Sequence, residues 1–561
     1  MGTVPVVPTP LLAVLASVRP DDRSEHVVLL DTDGNQHLPQ PPAAEVDRAD
    51  VGLTEIEPAV LERLGATGKA GEVYALVDGR WLLGVGDGSD LAALRKAGAT
   101  LAGALRSRAE RSRSARSGSA QAGPARSGSA RSGSTPPRFA PDGSPAGQPE
   151  SSPGPEYEQQ PETRPVALGV AELSGPGREA LVVGLILGSH QYRVSHRQPP
   201  LPGRAELVVP EAALPELRRQ LEVAGTLARA TALARDLAST PSDVKTPTWL
   251  VETAAGLAAE VPGLTAEVWP VERLRAEGFG GLLAVGGGSS RPPALLRLGW
   301  APAGVPLADN RHLVLVGKGI TFDTGGISIK PADGMHLMRT DMAAGGAVIA
   351  AMLAVARLGV PLRVTGLVPA AENHVSGSAY RPGDVVRHYD GTTTEVVNTD
   401  AEGRMVLADA LGYAVRELAP DLIVDAATLT GAMKVALGMR TAGLFASDDE
   451  LADAVLAASE RAGERLWRMP LLDHVADEVD STIADVRQAP PGPPGISAAL
   501  FLRRFTGGVP WVHLDIAGPA RCDKPYDEVA AGATGFVART LVELALGLAA
   551  PPNRALLTAY T

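Results

Sequence analysis

Beyond residue 246, short apolar runs alternate with amphipathic helical patterns, and this alternation limits the possible folds more than any other feature of the chain. Buried strands that alternate with helices form sheets covered on both faces. The pattern therefore predicts an α/β domain with a central mixed sheet flanked by helices, and such sheets place ligands at the carboxyl ends of their strands. The expected strands are residues 312–317, 362–369, 422–427 and 511–516, and the expected helices are residues 343–358, 404–418, 451–462 and 534–548.

The part of the chain before residue 246 repeats the alternation on a smaller scale. A helix start is expected at Thr246 and Pro247. The sequence thus divides into an N-terminal α/β domain (1–210), a connecting helix (211–245) and a larger C-terminal α/β domain (246–561). Strands are expected in the N-terminal domain at residues 27–30, 81–85, 166–171 and 180–187, with helices at 91–105 and 214–237.

Residues 106–164 consist mostly of Ser, Gly, Pro, Ala and Arg, and the pentapeptide Ala-Arg-Ser-Gly-Ser occurs in them three times. Such a segment buries too little apolar surface to offset its ordering entropy, so we predict a disordered insertion that interrupts the N-terminal domain. The simpler interpretation is a tolerated surface loop. Because residues 106–140 carry eight arginines against one glutamate, an Arg-rich tether for an acidic partner or nucleic acid is the alternative.

Charge and composition exclude several classes of protein. The net charge of −12 argues against a general nucleic-acid binder, and a single cysteine, Cys522, excludes a disulfide framework and zinc sites with several cysteines. The longest apolar run, residues 342–356, is shorter than the roughly 18 residues of a membrane helix and suits a buried helix. The N-terminus has no signal-peptide pattern, so we expect a cytoplasmic protein without membrane contact.

Ionisable residues gather directly after the expected strand 312–317. Lys318, Asp323, Lys330 and Asp341 lie there among glycines and apolar residues. A Gly-rich turn with solvated charges would explain any one of them alone. A phosphate-binding loop does not, because Lys318 is followed by glycine rather than by Ser or Thr.

A second cluster, residues 398–404, reads NTDAEGR. Asp400 and Glu402 would point the same way from an extended segment. Arg404 would stand in the first turn of a helix, where the helix dipole disfavours a cation, and this placement makes sense if Arg404 has an anionic partner. An acidic N-cap is the simpler interpretation, which would explain Asp400 or Glu402 but not Arg404. The histidines show no His-Glu-x-x-His pattern, and carboxylate-rich sites suit divalent ions. Two such ions can activate a water and polarise a carbonyl, as amide hydrolysis requires.

These residues resemble a known family, the cytosolic leucyl aminopeptidases. NTDAEGR is the family signature, and Lys318, Asp323, Lys330 and Asp341 stand at the family's upstream spacing. The resemblance runs from about residue 225 to 549 and continues more weakly before it. It implies a two-metal peptidase that acts on peptide N-termini and assembles as a homohexamer. Further matches are residues 376–384 (SGSAYRPGD), 427–431 (ATLTG), 513–518 (HLDIAG) and 532–536 (GATGF).

The resemblance also implies a set of metal ligands. Asp323 and Glu402 would bridge two divalent ions, Mn²⁺ or Zn²⁺. Asp400 would complete one metal site, and Lys318 with Asp341 would complete the other. A lysine ligates a metal only when neutral, which an adjacent divalent charge favours.

Other roles follow from the same resemblance. Lys330 would act as an electrophile on the scissile carbonyl, and Arg404 would hold a bicarbonate ion that serves as general base. Met338, Thr428 and Gly431 match positions that line the pocket for the first side chain. A methionine there suggests leucine and other apolar residues, although simple core packing would explain Met338 equally well.

Three segments depart from the family pattern: residues 333–336 (DGMH), 373–376 (NHVS) and the proline-rich 491–498. None removes an expected ligand, so the departures bear on side-chain specificity. The sequence leaves two alternatives to an active peptidase open. One is a DNA-binding regulator on the same scaffold, and the other is a catalytically dead scaffold.

Overall fold

The computed structural model describes residues 11–17, 24–37, 55–78, 80–120, 165–194, 203–304 and 311–550. Over these ranges the chain forms two large sheets, each packed against helices, and two small sheets. The α/β class is thus confirmed.

The first large sheet lies in the N-terminal part of the chain. Its order is β1-β7-β6-β2-β5-β4, with β3 paired to β2. The pairs from β1 across to β5 are parallel, and only β4 and β3 run antiparallel to their neighbours. The strands are Ala13–Ser17 (β1), Glu25–Asp31 (β2), Gln36–His37 (β3), Val73–Ala75 (β4), Trp81–Gly86 (β5), Val166–Gly169 (β6) and Arg204–Val208 (β7).

Three helices, Pro58–Leu64 (α1), Leu91–Ala120 (α2) and Gly175–Ser189 (α3), belong to this part. Residues 180–187 were expected to form a strand, and this prediction is wrong because they lie in α3. The helix is capped by Ser174 and buried along most of its length. A Cβ on Gly184 would lie 2.0 Å from the carbonyl oxygen of Arg95, so the glycine lets α2 pack closely. A short apolar run cannot be told from such a buried helix by its periodicity.

Helix α2 extends into the segment that we expected to be disordered. Residues 106–120 continue α2, so the prediction of disorder from residue 106 is wrong for them. Arg106 donates to the carbonyl of Gly188 at 2.8 Å, and Arg108 pairs with Glu25 at 2.6 Å. Residues 121–164 lie outside the described residues. Because β6 pairs with β2, the segment interrupts one sheet, as expected.

The second large sheet has the order β17-β16-β19-β15-β10-β12-β9-β8, with β11 paired to β12. Strands β19, β15, β10, β12 and β11 run parallel, while β9 and β8 are antiparallel to their neighbours, and β16 is antiparallel to β19 but parallel to β17. It is therefore the expected mixed sheet. Its strands are Leu264–Trp269 (β8), Ala294–Trp300 (β9), His312–Gly317 (β10), Gly319–Asp323 (β11), Arg363–Asn373 (β12), Leu422–Ala427 (β15), Ala442–Ala446 (β16), Leu466–Arg468 (β17) and Trp511–Asp515 (β19).

Helices cover both faces of this sheet, each over its own apolar core. They are Leu214–Ser239 (α4), Pro247–Ala259 (α5), Val271–Glu277 (α6), Gly280–Gly286 (α7), Ala343–Arg357 (α8), Glu402–Tyr413 (α9), Gly431–Leu437 (α10), Asp449–Ala462 (α11), Pro494–Arg503 (α12) and Ala538–Ala549 (α13). The small sheets consist of Val385–Arg387 (β13), Thr393–Glu395 (β14) and Val486–Arg487 (β18), and of Arg521–Cys522 (β20) and Gly532–Ala533 (β21).

Two of the expected helices differ from their predicted bounds for reasons that the local backbone shows. The helix expected from residue 404 begins at Glu402 and ends at Tyr413, before a π turn over Ala414–Leu418. The helix expected from residue 534 begins at Ala538, because Val537 before it has a left-handed backbone with φ 74°. The helix start at Thr246 is confirmed, with its side chain accepting from the backbone of Trp249.

Among the described residues, the helical segment Met335–Arg357 is long and apolar enough to cross a membrane. However, 89% of its apolar window is buried inside the protein. Helix α8, which forms most of it, packs between the sheet and helices α4 and α13, so it is the buried core helix that its length suggested.

Helix α4 packs against both large sheets. One stripe along it, containing Leu217, Ala224, Ala228 and Ala232, belongs to the core of the N-terminal sheet. Another stripe, containing Ala230, Ala234, Leu237 and Ala238, belongs to the core of the second sheet. The connecting helix is thus part of both cores.

Candidate functional site

Polar residues collect where parallel strands of the second sheet end. Lys318 follows β10, Asp323 ends β11, and Asn373 ends β12. On the other side of β10, Thr428 follows β15 and Asp515 ends β19. Since these strands are parallel, all five residues lie at the same carboxyl edge, where α/β sheets bind ligands.

Lys318 forms the buried side of the site. Its Nζ lies 2.7 Å from Asp341 Oδ2 and 2.7 Å from Glu402 Oε1, and it donates to the carbonyl of Thr428 at 3.0 Å. Burial acts to lower the pKa of Lys318, but the charges of Asp341, Glu402 and Asp323 outweigh it and raise the pKa. The side chains of Lys318 and Glu402 are almost wholly enclosed.

Lys330 forms the more open side. Its Nζ lies 2.7 Å from Asp323 Oδ2 and pairs with Asp400. Burial and the nearby charge of Glu402 raise the pKa of Asp323 to about 6. The side chains of Lys330 and Asp400 are 20% and 32% exposed, so reactants reach the site from here.

Hydrogen bonds from neighbouring residues orient two of the carboxylates. Asp323 Oδ1 accepts from Asn373 Nδ2 and from the backbone of Gly325, both at 2.8 Å, which turns Oδ2 into the cluster. Asp341 Oδ1 accepts from the Thr428 hydroxyl at 2.7 Å, which turns its Oδ2 inward as well. Such supporting hydrogen bonds are typical of metal sites, because they fix the ligand atoms in place.

The donor set fits divalent cations. Among the described residues, ligand atoms of Asp323, Asp400 and Glu402 lie within 4.8 Å of one another. With Asp341, four carboxylates face only two lysines. Asp341 Oδ2 and Glu402 Oε1 are buried, and both share the single ammonium of Lys318, which lies 2.7 Å from each. Buried oxygens of this kind, in excess over nearby positive charge, are the ligands that hard cations take.

The segment that carries Asp400 and Glu402 is a turn, so our prediction of an extended segment is wrong. Ala401 N donates to Asn398 O at 3.0 Å, and Glu402 begins α9. Both carboxylates nevertheless enter the cluster. A Cβ on Gly403 would lie 2.7–2.8 Å from the end of the Lys318 side chain. The glycine of NTDAEGR therefore makes room for Lys318.

Arg404 is buried in the first turn of α9, where it was expected. Its Nη1 donates to the carbonyl of Gln488 at 2.5 Å, while its Nε has no hydrogen-bond partner among the described residues. Burial lowers its pKa to about 10, against the raising effect of Glu402 and Asp515. A buried, charged donor without an acceptor suits a small anion.

Two of the three expected pocket residues, Thr428 and Met338, contact Asp341. Thr428 contacts both Asp341 and Lys318. Met338 lies in the 3-10 helix Met335–Thr340, and its carbonyl accepts from Asp341 N at 3.1 Å. Gly431 is exposed at the start of α10, and a Cβ there would meet nothing within 4 Å.

Sequence reasoning missed the residues that support the ligands. Asn373 also donates to the carbonyl of Thr399 at 3.0 Å, and the Tyr380 hydroxyl donates to the same carbonyl at 2.8 Å. Asp515 accepts from the backbone and hydroxyl of Thr430, which fixes the segment after β15. A polar residue at the end of a buried strand, such as Asn373, is a signal that could have found them.

The comparisons with known proteins agree with this geometry. Residues 232–542 match the family described as "Cytosol aminopeptidase family, catalytic domain". A probable cytosol aminopeptidase of Solibacter usitatus is 45% identical over 381 residues, which cover 67% of this chain and 78% of the relative.

Two solved structures extend the similarity to the N-terminal part. Bottromycin maturation enzyme BotP in complex with Mn is 37% identical, covers 88% of this chain and 97% of its own, and has a TM-score of 0.71. A mutant of tomato leucine aminopeptidase is 27% identical to this chain and has a TM-score of 0.74. The match covers 96% of this chain and 97% of the tomato chain.

Proposed function

The chain belongs to the cytosol aminopeptidase family, and from this premise we propose that it is a two-metal leucyl aminopeptidase. As a member of the family it is a metallo-aminopeptidase that hydrolyses peptides with the help of divalent metal ions. The proposal adds the number of metal ions, the residues that hold them, the general base and the preference for leucine and other apolar first residues.

Five side chains would hold the metal ions. Asp323 and Glu402 would bridge the two ions, Asp400 would complete one site, and Lys318 with Asp341 would complete the other. The observation that carries the proposal is the convergence of these residues, from stretches separated along the chain, on one strand edge. Mn²⁺ or Zn²⁺ is the expected metal, and the manganese in the BotP complex supports the former.

A bound pair of divalent ions would supply a water acidic enough to attack an amide and a Lewis acid for its carbonyl. The residues of the chain add to this chemistry. The ammonium of Lys330, on the open side, would donate to the carbonyl oxygen as negative charge develops there. The unpartnered Nε of Arg404 would bind bicarbonate, which would accept the proton of the attacking water.

The geometry also suggests why only the first residue of a peptide would be released. The site is closed on the side of Lys318 and Asp341 and open on the side of Lys330. A free α-amine bound at the closed end would leave no room for a preceding residue. Met338, Thr428 and Gly431 would line the pocket for the first side chain, and the apolar Met338 favours leucine.

We also propose a homohexamer and a cytoplasmic location. The first follows from the family resemblance. The second is supported by the name cytosol aminopeptidase that the relatives carry.

The test is hydrolysis of leucine p-nitroanilide. The purified chain is stripped of metal with a chelator and then titrated with Mn²⁺ or Zn²⁺ while metal content is measured. We expect activity to disappear on chelation and to return as two equivalents of metal bind per chain. Full activity with one equivalent, or with none, would contradict the two-metal proposal. A comparison of Leu, Lys and Glu p-nitroanilides measures the preference, and the Leu substrate should be hydrolysed fastest.

The alternative of a DNA-binding regulator depends on arginines of residues 106–140. Of these, only residues 106–120 lie among the described residues, and no feature described there adds to the alternative. The peptidase is therefore the one function that we propose.

A further inference from the structure

Lys245 is a fully buried lysine that pairs with no carboxylate in the described part of the chain. Its ammonium donates three hydrogen bonds, all to backbone carbonyls: Leu237 at 3.0 Å, Ala238 at 3.0 Å and Arg339 at 2.6 Å. All three of its protons are thus used, and they join the end of α4 to the segment before Asp341.

Two of these bonds complete a helix end. The last carbonyls of a helix lack partners within it, and they form the negative end of its dipole. The carbonyl of Leu237 would normally accept from residue 241, but Pro241 has no N–H. The ammonium of Lys245 replaces this donor. Burial and the nearby charge of Arg339 hold the pKa of Lys245 well below its ordinary value.

The third bond reaches a segment with little support on its other side. Leu337, Arg339 and Thr340 line a cavity of about 750 Å³ that also borders the middle of α2, the end of α3 and the β20–β21 hairpin. Since the described residues form no packed core on that side, the hydrogen bond from Lys245 adds to the contacts with β11 and α4 that hold the segment in place. The segment ends at Asp341, whose carboxylate contacts Lys318.

The turn that carries Lys245 also contacts the other side of the site. Within it, Lys245 N donates to Pro241 O at 2.9 Å, which makes the turn compact. The Ser242 hydroxyl donates to the carbonyl of Thr321 at 3.3 Å, two residues before Asp323 on β11. One compact turn is therefore bonded to two of the three segments that supply carboxylates to the cluster, those of Asp323 and Asp341.

We propose that Lys245 is a positioning residue that sets the place of Asp341 relative to Asp323 and thereby the affinity for metal. This inference rests on the proposed function, because it takes Asp341 as a ligand. A buried apolar residue would avoid the desolvation of a charge. It could not, however, donate a hydrogen bond to the carbonyl of Arg339. Without this bond, the segment before Asp341 would lose its link to the end of α4.

The test compares Lys245→Met with a matched control, Arg235→Met. Arg235 is also buried on α4 and donates to backbone carbonyls, of Thr534 at 2.7 Å and Glu528 at 3.2 Å, but not to a segment that bears a ligand. Metal content is measured after equilibration in buffers of fixed free Mn²⁺. Thermal unfolding is recorded for each variant without metal.

Both variants should unfold at lower temperature than the parent. Only Lys245→Met should need about 10-fold to 100-fold more free Mn²⁺ for half-saturation, as is typical when a residue that orients a ligand is lost. Parent-like half-saturation of Lys245→Met would overturn the inference, and so would an equal loss of metal affinity in Arg235→Met.

If Lys245→Met does not fold, Lys245→Gln takes its place, because it retains two donors at similar length. It should fold and bind Mn²⁺ more weakly than the parent, and parent-like binding would again overturn the inference. Failure of the parent itself to bind Mn²⁺ would instead contradict the proposed function. The two failures are thus distinguishable.

Discussion

The two edges of the second large sheet differ in how their polar groups are satisfied. At the amino edge, His312 contacts Leu418 O at 3.0 Å and Thr365 Oγ1 at 2.8 Å. Asp421 accepts from the backbone of His312 and from Arg311. At the carboxyl edge, by contrast, Asp341 Oδ2 and Glu402 Oε1 share the single ammonium of Lys318, and Arg404 Nε is buried without a hydrogen bond to any described residue.

This difference separates two uses of buried polar groups. At the amino edge they close hydrogen bonds and stabilise the sheet. At the carboxyl edge, carboxylates of like charge are held close together, which lowers the stability of the fold. Such unfavourable arrangements are retained where a site binds a ligand. Substitutions at the carboxyl edge should therefore remove activity and leave the fold intact, whereas substitutions at the amino edge should do the reverse.

The largest effect is expected for Glu402→Gln at the carboxyl edge. It removes a ligand charge that is shared by both proposed metal sites, so turnover of leucine p-nitroanilide should fall to background. The protein should stay folded, because the change relieves repulsion from Asp323 and Asp341, although it also removes the buried ion pair with Lys318. Asp323→Asn should behave in the same way.

The matched change at the amino edge is Asp421→Asn. It weakens the bonds to Arg311 and to the backbone of His312, so the protein should lose roughly 1 kcal/mol of stability. Turnover should stay within about twofold of the parent, since no reacting group is near. Loss of activity in Asp421→Asn, or retention of activity in Glu402→Gln, would contradict the assignment of stability to the amino edge and of activity to the carboxyl edge.

The next largest effect is expected for Lys330→Ala. Loss of a positive charge at the developing oxyanion should reduce kcat by about 10²-fold to 10³-fold. Metal content should remain close to that of the parent, because Lys330 is not a proposed ligand. Equal losses of metal and of turnover would show that Lys330 helps to hold the metal instead.

A smaller effect is expected for Gly403→Ala, because the added methyl group would displace the end of Lys318. The Mn²⁺ concentration for half-maximal activity should rise about 10-fold. Gly256 is the control, since it also lies in a helix but a Cβ there would meet nothing within 4 Å. Gly256→Ala should leave metal activation unchanged and stabilise the protein by up to about 1 kcal/mol.

The smallest effect on turnover is expected for His312→Gln, which changes the pH dependence of stability. Burial and the charge of Arg363 lower the pKa of His312 to about 4, so the folded protein favours the neutral imidazole. The contribution of His312 to the stability of the folded state is therefore fully present above the ordinary histidine pKa, and it is lost as the pH falls toward 4. Between pH 7.5 and 5, the parent should lose about 2 kcal/mol more than His312→Gln. Denaturant unfolding at both pH values measures the difference, and parallel losses would contradict the prediction.

Much of the fold was predictable because local pattern and tertiary structure agree. Strands β10 and β15 have the expected bounds, since both are buried runs bounded by polar or glycine residues. Disagreement arose where distant contacts decide the local structure. Residues 106–120 have a composition typical of disorder, yet Arg106 and Arg108 tie this end of α2 to Gly188 and Glu25.

The candidate site, too, was predictable only in part. Sequence motifs were enough to single out Lys318, Asp323, Asp341, Asp400 and Glu402, and the structure brings them together. Asn373 was missed although it ends a buried strand, whereas Lys245 could not be found from the sequence, because its role depends on which segments end beside it in the fold. The turn at residues 398–401 was missed because Asn398 closes it by a local hydrogen bond that alternation of residues does not reveal.

Helix α4 bears on how this protein can be shortened. A variant begun after residue 210 would keep every residue of the site, but the flank of α4 with Leu217, Ala224, Ala228 and Ala232 would face water. Such a minimal enzyme would self-associate through this flank. Chimaeras that exchange the N-terminal sheet between relatives must therefore carry the matching flank of α4 with it.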